Sequence, residues 1–263
     1  MLTIIITSLF MITIPGISSS RLDSNHNENL APYIVSIQLN SVHICSGVIV
    51  TSREILTLAS CVFPFVDNST HKLVEIRIGS KNRYRDGSKY YISSVKVHEY
   101  FLKSSSNKIP AWDIAIIRVS QRIIFDKTRN RTCIGLKDTD KSTIIDKQGI
   151  VVEWISNKFD TSYSQQLTNW KIISDTECND QYDDFDNVTS IARICAINID
   201  RTGDVNACPT DLGNPLMING ELVGIKMWPK GCKDLKKPFF FRNVRDYFGW
   251  IHNHTDHTVE VLC

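Results

Sequence analysis

The sequence has almost no charge imbalance, no second long apolar run and no closely paired cysteines, and each absence excludes a class of protein. The formal net charge is +2, too small a basic excess to indicate nucleic-acid binding. Beyond the first residues, no segment approaches about 18 consecutive apolar residues, so no membrane-spanning helix is predicted. No Cys-x-x-Cys motif occurs, which argues against a zinc module or a thioredoxin-like site.

Residues 1–20 are predicted to be a signal peptide. Leu2 to Pro15 form an apolar run, and residues 18–20 are all serine, as in the apolar region and cleavage site of a secretory signal. A short membrane anchor is the alternative, although the run is too short to span a bilayer comfortably. The mature protein is therefore expected to begin near Arg21 and to be secreted.

Eight cysteines in a secreted chain predict disulfide bonds, because such bonds persist in oxidising compartments. Their number alone leaves many pairings open. The chain also contains four Asn-x-Ser/Thr sequons, although several would arise by chance in a chain this rich in Asn, Ser and Thr. These candidate glycosylation sites are Asn68, Asn130, Asn187 and Asn253.

The pattern of apolar residues predicts an all-β interior. Short segments rich in β-branched residues recur, and several alternate apolar with polar residues. Many short strands with long irregular connections favour a barrel or a sandwich. One helix is predicted near residues 243–253, where apolar residues follow i, i+3, i+4, i+7 spacing. The predicted strands are Ile34–Leu39, Glu75–Ile78, Tyr91–Val97, Ile114–Val119, Gly149–Trp154, Asn169–Ile173, Glu221–Met227 and Phe239–Asn243.

Short motifs carry the most specific signal. They occur at Ala31–Gly47, Leu58–Cys61, Trp112–Ile117, Cys208–Pro215, Gly224–Trp228, Lys237–Phe241 and Phe248–Ile251. In this order they are similar to PY-x-VS…HFCGG, AAHC, NDIALI, CQGDSGGP, GIVSW, KPGVY and YVSWI, the motifs of trypsin-like serine proteases (peptidase family S1). The chain resembles this family from residue 31 to residue 253. The resemblance implies two packed six-stranded antiparallel β-barrels, a short C-terminal helix and an ancestral active site where the barrels meet.

The resemblance also implies a domain organisation. A serine protease homologue domain is expected between the signal peptide and a short C-terminal tail. The expected boundaries are 1–20 for the signal peptide, 21–254 for the domain, about 31–130 for the N-terminal barrel, about 145–243 for the C-terminal barrel, about 243–253 for the helix and 255–263 for the tail.

Two of the three catalytic positions of the family are changed. Acyl transfer in this family needs a hydroxyl nucleophile, a histidine that takes its proton and an aspartate that orients the histidine. The resemblance places Leu212 at the nucleophile, Ser60 at the base and Asp113 at the acid. Leucine has no hydroxyl, and the loss of one member typically lowers turnover by a factor on the order of 10⁶. Ser60 lacks a positioned base of its own.

The positions around the former substrate cleft are changed as well. Thr210 replaces a glycine that supplies an oxyanion N–H, and Pro229 replaces a glycine that pairs with substrate, although proline has no N–H. Phe239 replaces a glycine of the specificity pocket and is expected to fill much of it, whereas Asn206 puts no fixed anion at the pocket floor. Met227 replaces a serine that helps to hold the triad aspartate. The former pocket and cleft positions are Asn206, Thr210, Met227, Trp228, Pro229 and Phe239.

Ser36, His43 and Asp211 fall at the positions of a zymogen triad in chymotrypsinogen-like proteins. In active members of the family, the aspartate instead pairs with a newly cut N-terminus. Here the residues after Arg21, at positions 22–25, are Leu-Asp-Ser-Asn rather than the usual IVGG. We therefore expect a permanently zymogen-like domain in which His43 holds Asp211. The alternative is that Ser36 and His43 persist merely as barrel residues.

The resemblance also implies a disulfide pattern. A further bridge of the family is missing at both ends, where Gly149 and Ile218 stand. Two cysteines remain without a family partner, and we hypothesise a bridge between Cys133 and Cys263, with a free or intermolecular thiol as the alternative. The three family bridges are Cys45–Cys61, Cys178–Cys195 and Cys208–Cys232.

These changes predict a secreted, non-catalytic serine protease homologue, a pseudoenzyme that binds another protein or regulates proteolysis. The partner is expected to be a protein, such as an active protease or its substrate, rather than nucleic acid or a membrane. No cofactor or metal is expected, since Ser80 replaces the family's first calcium-loop acid; metal binding by the tail histidines His252, His254 and His257 is the alternative. The alternative function is a secreted trypsin-like endopeptidase with a non-standard active site.

Overall fold

The structure, a computed structural model, describes residues 31–101, 112–135, 141–155, 163–182, 192–200, 211–227 and 237–256. These residues are mostly strand, and they form two antiparallel β-barrels that follow one another along the chain. The predicted all-β class and the two-barrel architecture are confirmed.

The N-terminal barrel consists of β1 (Ile34–Leu39), β2 (Val42–Ile49), β3 (Glu54–Thr57), β4 (Val74–Ile78), β5 (Ser88–Val97) and β6 (Ala115–Val119). The strands close in the order β1-β2-β3-β6-β5-β4. In β4 the apolar residues Val74, Ile76 and Ile78 are buried, whereas Glu75 and Arg77 between them are partly exposed. This alternation follows from the two-residue period of a strand and points one face into the barrel.

The C-terminal barrel consists of β8 (Gln148–Ile155), β9 (Ser164–Ile173), β10 (Arg193–Asn198), β11 (Pro215–Ile218), β12 (Glu221–Lys226) and β13 (Phe239–Asn243), with β7 (Cys133–Ile134) beside them. The order is β11-β8-β9-β10-β13-β12, and a β11–β12 pairing closes the ring. β7 adds to the outside of β12 in parallel. Most of these strands are buried, so a charged side chain on their inner face needs a partner.

Three short α-helices accompany the barrels, α1 (Ala59–Val62), α2 (Asp175–Asn179) and α3 (Phe248–His254). Ser174 caps α2, since its side chain accepts a hydrogen bond from the backbone N–H of Glu177 at 3.1 Å. The predicted C-terminal helix is present, but its first turn, Val244–Tyr247, is a 3₁₀-helix. Such tighter turns are frequent at helix ends.

The apolar pattern alone did not predict β2, β3, β10 and β11. β3 and β11 have four residues each, and every residue of both strands is buried. A strand buried on both faces has no polar alternation, so its period of two does not show in the sequence. The strands that the pattern did predict include ones with one exposed face, such as β5.

Two of the expected disulfides are confirmed, Cys45–Cys61 and Cys178–Cys195. Cys133 is also disulfide-bonded, so the alternative of a free thiol at this position is wrong. Cys208, Cys232 and Cys263 lie outside the described residues. The two positions of the missing family bridge are neighbours, since a Cβ added to Gly149 would lie 3.3 Å from the side chain of Ile218.

The signal-peptide prediction falls on residues 1–20, outside the described residues. In the part of the chain that the structure describes, no helix is long and apolar enough to cross a membrane. Of the four sequons, Asn130 and Asn253 are exposed, whereas Asn187 and the side chain of Asn68 lie outside the description.

Candidate functional site

Asp113 and Ser60, which the resemblance places at the acid and base positions, are in direct contact. Asp113 lies just before β6 and is buried. Its two carboxylate oxygens accept hydrogen bonds from the backbone N–H of Ser60 at 2.7 Å and from the Ser60 hydroxyl at 2.8 Å. Burial raises the pKa of the Asp113 carboxyl, although these hydrogen bonds and the charge of Arg242 oppose the shift. Among the described residues, the side chain that donates to Asp113 is therefore a hydroxyl, at the position where the resemblance predicts the base.

Leu212, at the nucleophile position, lies on the loop that leads into β11. Its side chain packs, partly buried, against the hydrophobic core, and its carbonyl accepts a hydrogen bond from the N–H of Ser46 at 2.6 Å. The next residue, Gly213, has φ of +87°, and an added Cβ would lie 2.0 Å from the Ser46 carbonyl oxygen. Only glycine fits this backbone and this approach. Backbone contacts therefore hold the loop against β2.

Ser36, His43 and Asp211 form one hydrogen-bonded chain. Nδ1 of His43 lies 2.8 Å from the Ser36 hydroxyl oxygen, and Nε2 lies 2.7 Å from a carboxylate oxygen of Asp211. A carboxylate only accepts hydrogen bonds, so Nε2 must carry a proton. Asp211 is 7% exposed, and it precedes a strand of the C-terminal barrel while His43 lies in the N-terminal one. The contact therefore joins the two barrels.

Two further residues that the sequence interpretation missed complete this chain. Ser46 on β2 donates to both carboxylate oxygens of Asp211, at 3.3 and 3.4 Å. The indole N–H of Trp154 on β8 donates to the Ser46 hydroxyl oxygen at 3.0 Å. The signal for Ser46 was its place in the HFCGG-like motif, where a serine stands at a glycine position. We call Ser36, His43, Ser46, Trp154 and Asp211 the Asp211 network.

A buried ion pair, also missed, lies inside the C-terminal barrel. The Nζ of Lys226 contacts the carboxylate of Glu153, and both side chains are at least 96% buried. Nζ also lies 4.7 Å from the ring centre of Phe239 and 5.2 Å from that of Trp170, within reach of a cation–π interaction. Opposite charges within two largely apolar strands were the signal for this pair.

The positions around the specificity pocket are described only in part. Phe239, expected on the pocket wall, is 3% exposed, and Met227 is 2% exposed. The Phe239 ring packs edge-on against Trp170 at 5.2 Å. Its ring is thus part of the interior of the C-terminal barrel. Asn206, Thr210, Trp228 and Pro229 lie outside the described residues.

The histidines near the C-terminal helix take part in packing. His98 stacks on Trp112 at 4.7 Å, and burial lowers its pKa. Nδ1 of His254 lies 2.8 Å from the carbonyl oxygen of Trp250; His257 lies outside the described residues. Ser80 is buried, and its hydroxyl donates to the carbonyl of Asn82. Among the described residues, no group of three or more His, Cys, Asp or Glu side chains is arranged to hold a metal ion.

The arrangement around Asp113 limits the chemistry available to it. A carboxylate next to a serine hydroxyl provides an acceptor and an alcohol, but no imidazole that shuttles a proton to and from a leaving group. The side chain of Leu212 offers only C–H groups. The hydrogen bonds that do join the two barrels are those of the Asp211 network.

Comparisons with known proteins agree with the fold. The trypsin family model matches residues 22–251. Trypsin iota of Drosophila melanogaster is 28% identical over 223 residues, which cover 84% of this chain and 82% of the relative. Trypsin Blo t 3 of Blomia tropicalis is 29% identical over 231 residues, which cover 87% and 83%. The structure of neuropsin, a serine protease expressed in the limbic system of mouse brain, matches with a TM-score of 0.69 at 20% identity, over 87% of this chain and 96% of that chain.

Proposed function

Because the chain belongs to the trypsin family, we propose that it is a secreted homologue without peptidase activity that acts by binding another protein. The observation that carries this proposal is the pairing of Asp113 with the hydroxyl of Ser60 at 2.8 Å. In a working triad, the aspartate orients a histidine that takes the proton of the nucleophile. A serine hydroxyl has no basic atom for that step, and Leu212 has no proton to give.

The interior of the C-terminal barrel supports the same proposal. Phe239, expected at the pocket wall, packs inside the barrel beside Lys226, and Glu153 already neutralises the ammonium of Lys226. A substrate side chain entering here would have to displace a buried, paired charge, which is costly. The barrel is thus better suited to structural stability than to recognition of a substrate side chain.

We also propose that the domain stays in a zymogen-like state. The contact of Asp211 with His43 at 2.7 Å supports this, as do the hydrogen bonds from Ser46. A new N-terminus formed by cleavage after Arg21 would have to take Asp211 away from these buried partners. The exchange would give up the hydrogen bonds from His43 and Ser46 for one ion pair with the new ammonium, and a buried ion pair gains little over the cost of desolvating its charges. Leu22 also starts a segment unlike IVGG, so we expect the exchange to be unfavourable.

Secretion is supported by covalent structure as well as by the predicted signal peptide. Cys45–Cys61 and Cys178–Cys195 are formed, and such bonds form and persist in oxidising compartments. The exposed sequons at Asn130 and Asn253 are available for N-glycans.

Activity is tested on the purified, full-length secreted protein. We expect no covalent labelling by a fluorophosphonate that reacts with activated serines and no hydrolysis of a mixed peptide library, while trypsin, run in parallel, is labelled and active. Labelling of Ser60, or of any other serine in the native but not the heat-denatured protein, would instead support an endopeptidase with a non-standard active site.

Binding is tested by affinity capture from the native secretion. The tagged protein is expected to retain a specific protein, either an active protease or its substrate, and the candidate is then titrated against purified chain. The matched control bait is a trypsin whose catalytic serine is replaced by alanine. It separates proteins that bind this chain specifically from proteins that bind any chain with this fold. Capture of the same proteins by both baits would argue against a dedicated partner.

A further inference from the structure

Cys133 is bonded to a cysteine that the described part of the chain does not contain. It is disulfide-bonded, whereas the other four described cysteines pair with one another as Cys45–Cys61 and Cys178–Cys195. A half-bridge on the outer strand β7 therefore fixes some other segment to this face of the molecule.

The chain that follows α3 is already directed to the N-terminal barrel at its last described residue. The guanidinium of Arg118 on β6 donates two hydrogen bonds to the two carboxylate oxygens of Asp256, both at 2.8 Å. Arg118 also contacts the carboxylate of the buried Glu54. Two-pronged contacts of this kind fix geometry as well as adding energy. Asp256 thus anchors the start of the tail, residues 257–263.

A groove lined by both apolar and basic side chains lies near Asp256. Its volume is about 260 Å³, below the range of about 300–1,000 Å³ typical of small-molecule sites. Ile124 on its wall is 67% exposed. Arg122 lines the side near Asp256, whose pKa is lowered first by the hydrogen bonds of Arg118 and also by the charge of Arg122. The lining residues are Ser52, Arg122, Ile123, Ile124, Phe125 and Arg131.

We propose that residues 257–263 occupy this groove and end in a Cys133–Cys263 disulfide. Arg131, which also lines the groove, is two residues from Cys133 in the sequence, so the groove adjoins the segment that leads to the half-bridge. Seven residue steps separate Asp256 from Cys263, a reach of at most about 25 Å in extended chain. The tail sequence, HTVEVLC, brings apolar side chains for Ile124 and Phe125 and one acid, Glu260, for the two arginines.

The bond is tested by digesting the unreduced full-length protein with trypsin. Cleavage after Arg131, Lys137 and Arg245 releases Cys133 in the peptide 132–137 and Cys263 in the peptide 246–263. A single disulfide-linked pair of these two peptides, lost on reduction, is expected. Cys133 linked to a peptide containing Cys208 or Cys232, or Cys263 open to alkylation without reduction, would overturn the proposal.

The groove is tested by hydrogen exchange of residues 257–262 in the full-length Ile124→Asp variant. Placing a charge at the apolar wall is expected to speed their exchange about tenfold or more, because the loss of one buried aliphatic contact is worth about this factor. Leu167→Asp, at a residue 44% exposed on β9, is the matched control and should leave the tail unchanged. Equal exchange rates of residues 257–262 in the parent, Ile124→Asp and Leu167→Asp proteins would overturn the proposal that the tail occupies the groove.

Discussion

Asp113 and Asp211 are both buried carboxylates, yet among the described residues Asp211 has an imidazole partner and Asp113 has none. His43 and Ser46 donate to Asp211, and Trp154 supports Ser46 in turn. Asp113 has only Ser60 in the place where the family has its catalytic histidine. The polar residues that hold the Leu212 loop are therefore complete, whereas those that would transfer a proton are not. This difference is what the proposed function requires, since binding a partner depends on the shape of the loop and not on proton transfer.

The largest expected effect on stability comes from replacing a third buried carboxylate, Glu153. Glu153→Leu leaves the ammonium of Lys226 buried without a counter-charge, so we expect a loss of about 3–5 kcal/mol in the free energy of unfolding, and a fall in Tm of roughly 6–20 °C. Thermal and urea unfolding measure this. The double variant Glu153→Leu/Lys226→Met should recover most of the loss, since apolar groups replace both charges. A single variant as stable as the parent would contradict the pairing.

The second prediction asks whether His43 holds Asp211 in the zymogen-like state or serves only as a packing residue of the barrel. Removing the ring leaves Asp211 buried with weaker partners, so His43→Ala should cost about 2–3 kcal/mol. A double-mutant cycle with Asp211→Ala should give a coupling energy of about 1–3 kcal/mol. His252→Ala, at an exposed histidine of α3, should be nearly neutral. Coupling within about 0.3 kcal/mol of zero would mean that the ring only fills space in the barrel.

Most residues of the two carboxylate sites could be predicted from the sequence, because the motifs that carry them are local. The stretch around His43 and that around Asp211 each carry family residues at fixed spacing, so the positions of Ser36, His43 and Asp211 could be assigned before any contact was known. Ser46 and Trp154 could not be added in the same way. Their role depends on two strands from different barrels meeting, which no local pattern contains.

The strands, and the buried ion pair of the C-terminal barrel, show the same limit of local sequence patterns. Alternating strands such as β4 were predicted, whereas β3 and β11 were missed because both their faces are buried. The Lys226–Glu153 pair was missed since 73 residues separate its members. Charged residues inside apolar strands are a usable signal, because an isolated buried charge is so costly that a partner must exist.

The third prediction concerns the pH dependence that Asp113 confers. Its folded pKa is raised above the unfolded value, mainly by burial. Its contribution to stability is therefore present below the unfolded pKa of about 3.9 and is lost as pH rises through the folded pKa. Asp113→Asn removes this titration. Relative to the parent, the variant should gain stability as pH rises above about 4, measured by urea unfolding across pH.

The matched control for this prediction is Ser60→Ala. It removes one hydrogen bond to Asp113 but keeps the carboxyl, so the pH dependence of stability should persist in this variant. If the Asp113→Asn and parent curves run parallel from about pH 3 to pH 8, Asp113 does not titrate within that window and burial does not govern its behaviour.

The smallest expected effect is that of restoring the missing nucleophile. Leu212→Ser supplies a hydroxyl, but Ser60 still stands where a base is needed, and one absent triad member lowers turnover by a factor on the order of 10⁶. Ser60→His/Leu212→Ser completes the triad in composition only, since His43 still holds Asp211 and Lys226 and Phe239 still fill the barrel interior. We therefore expect no hydrolysis by either variant in a fluorogenic peptide assay with trypsin as the positive control. Turnover by the single variant would show that the Asp113 site still functions, whereas turnover by the double variant alone would assign the loss of activity to the triad positions and not to the Asp211 network.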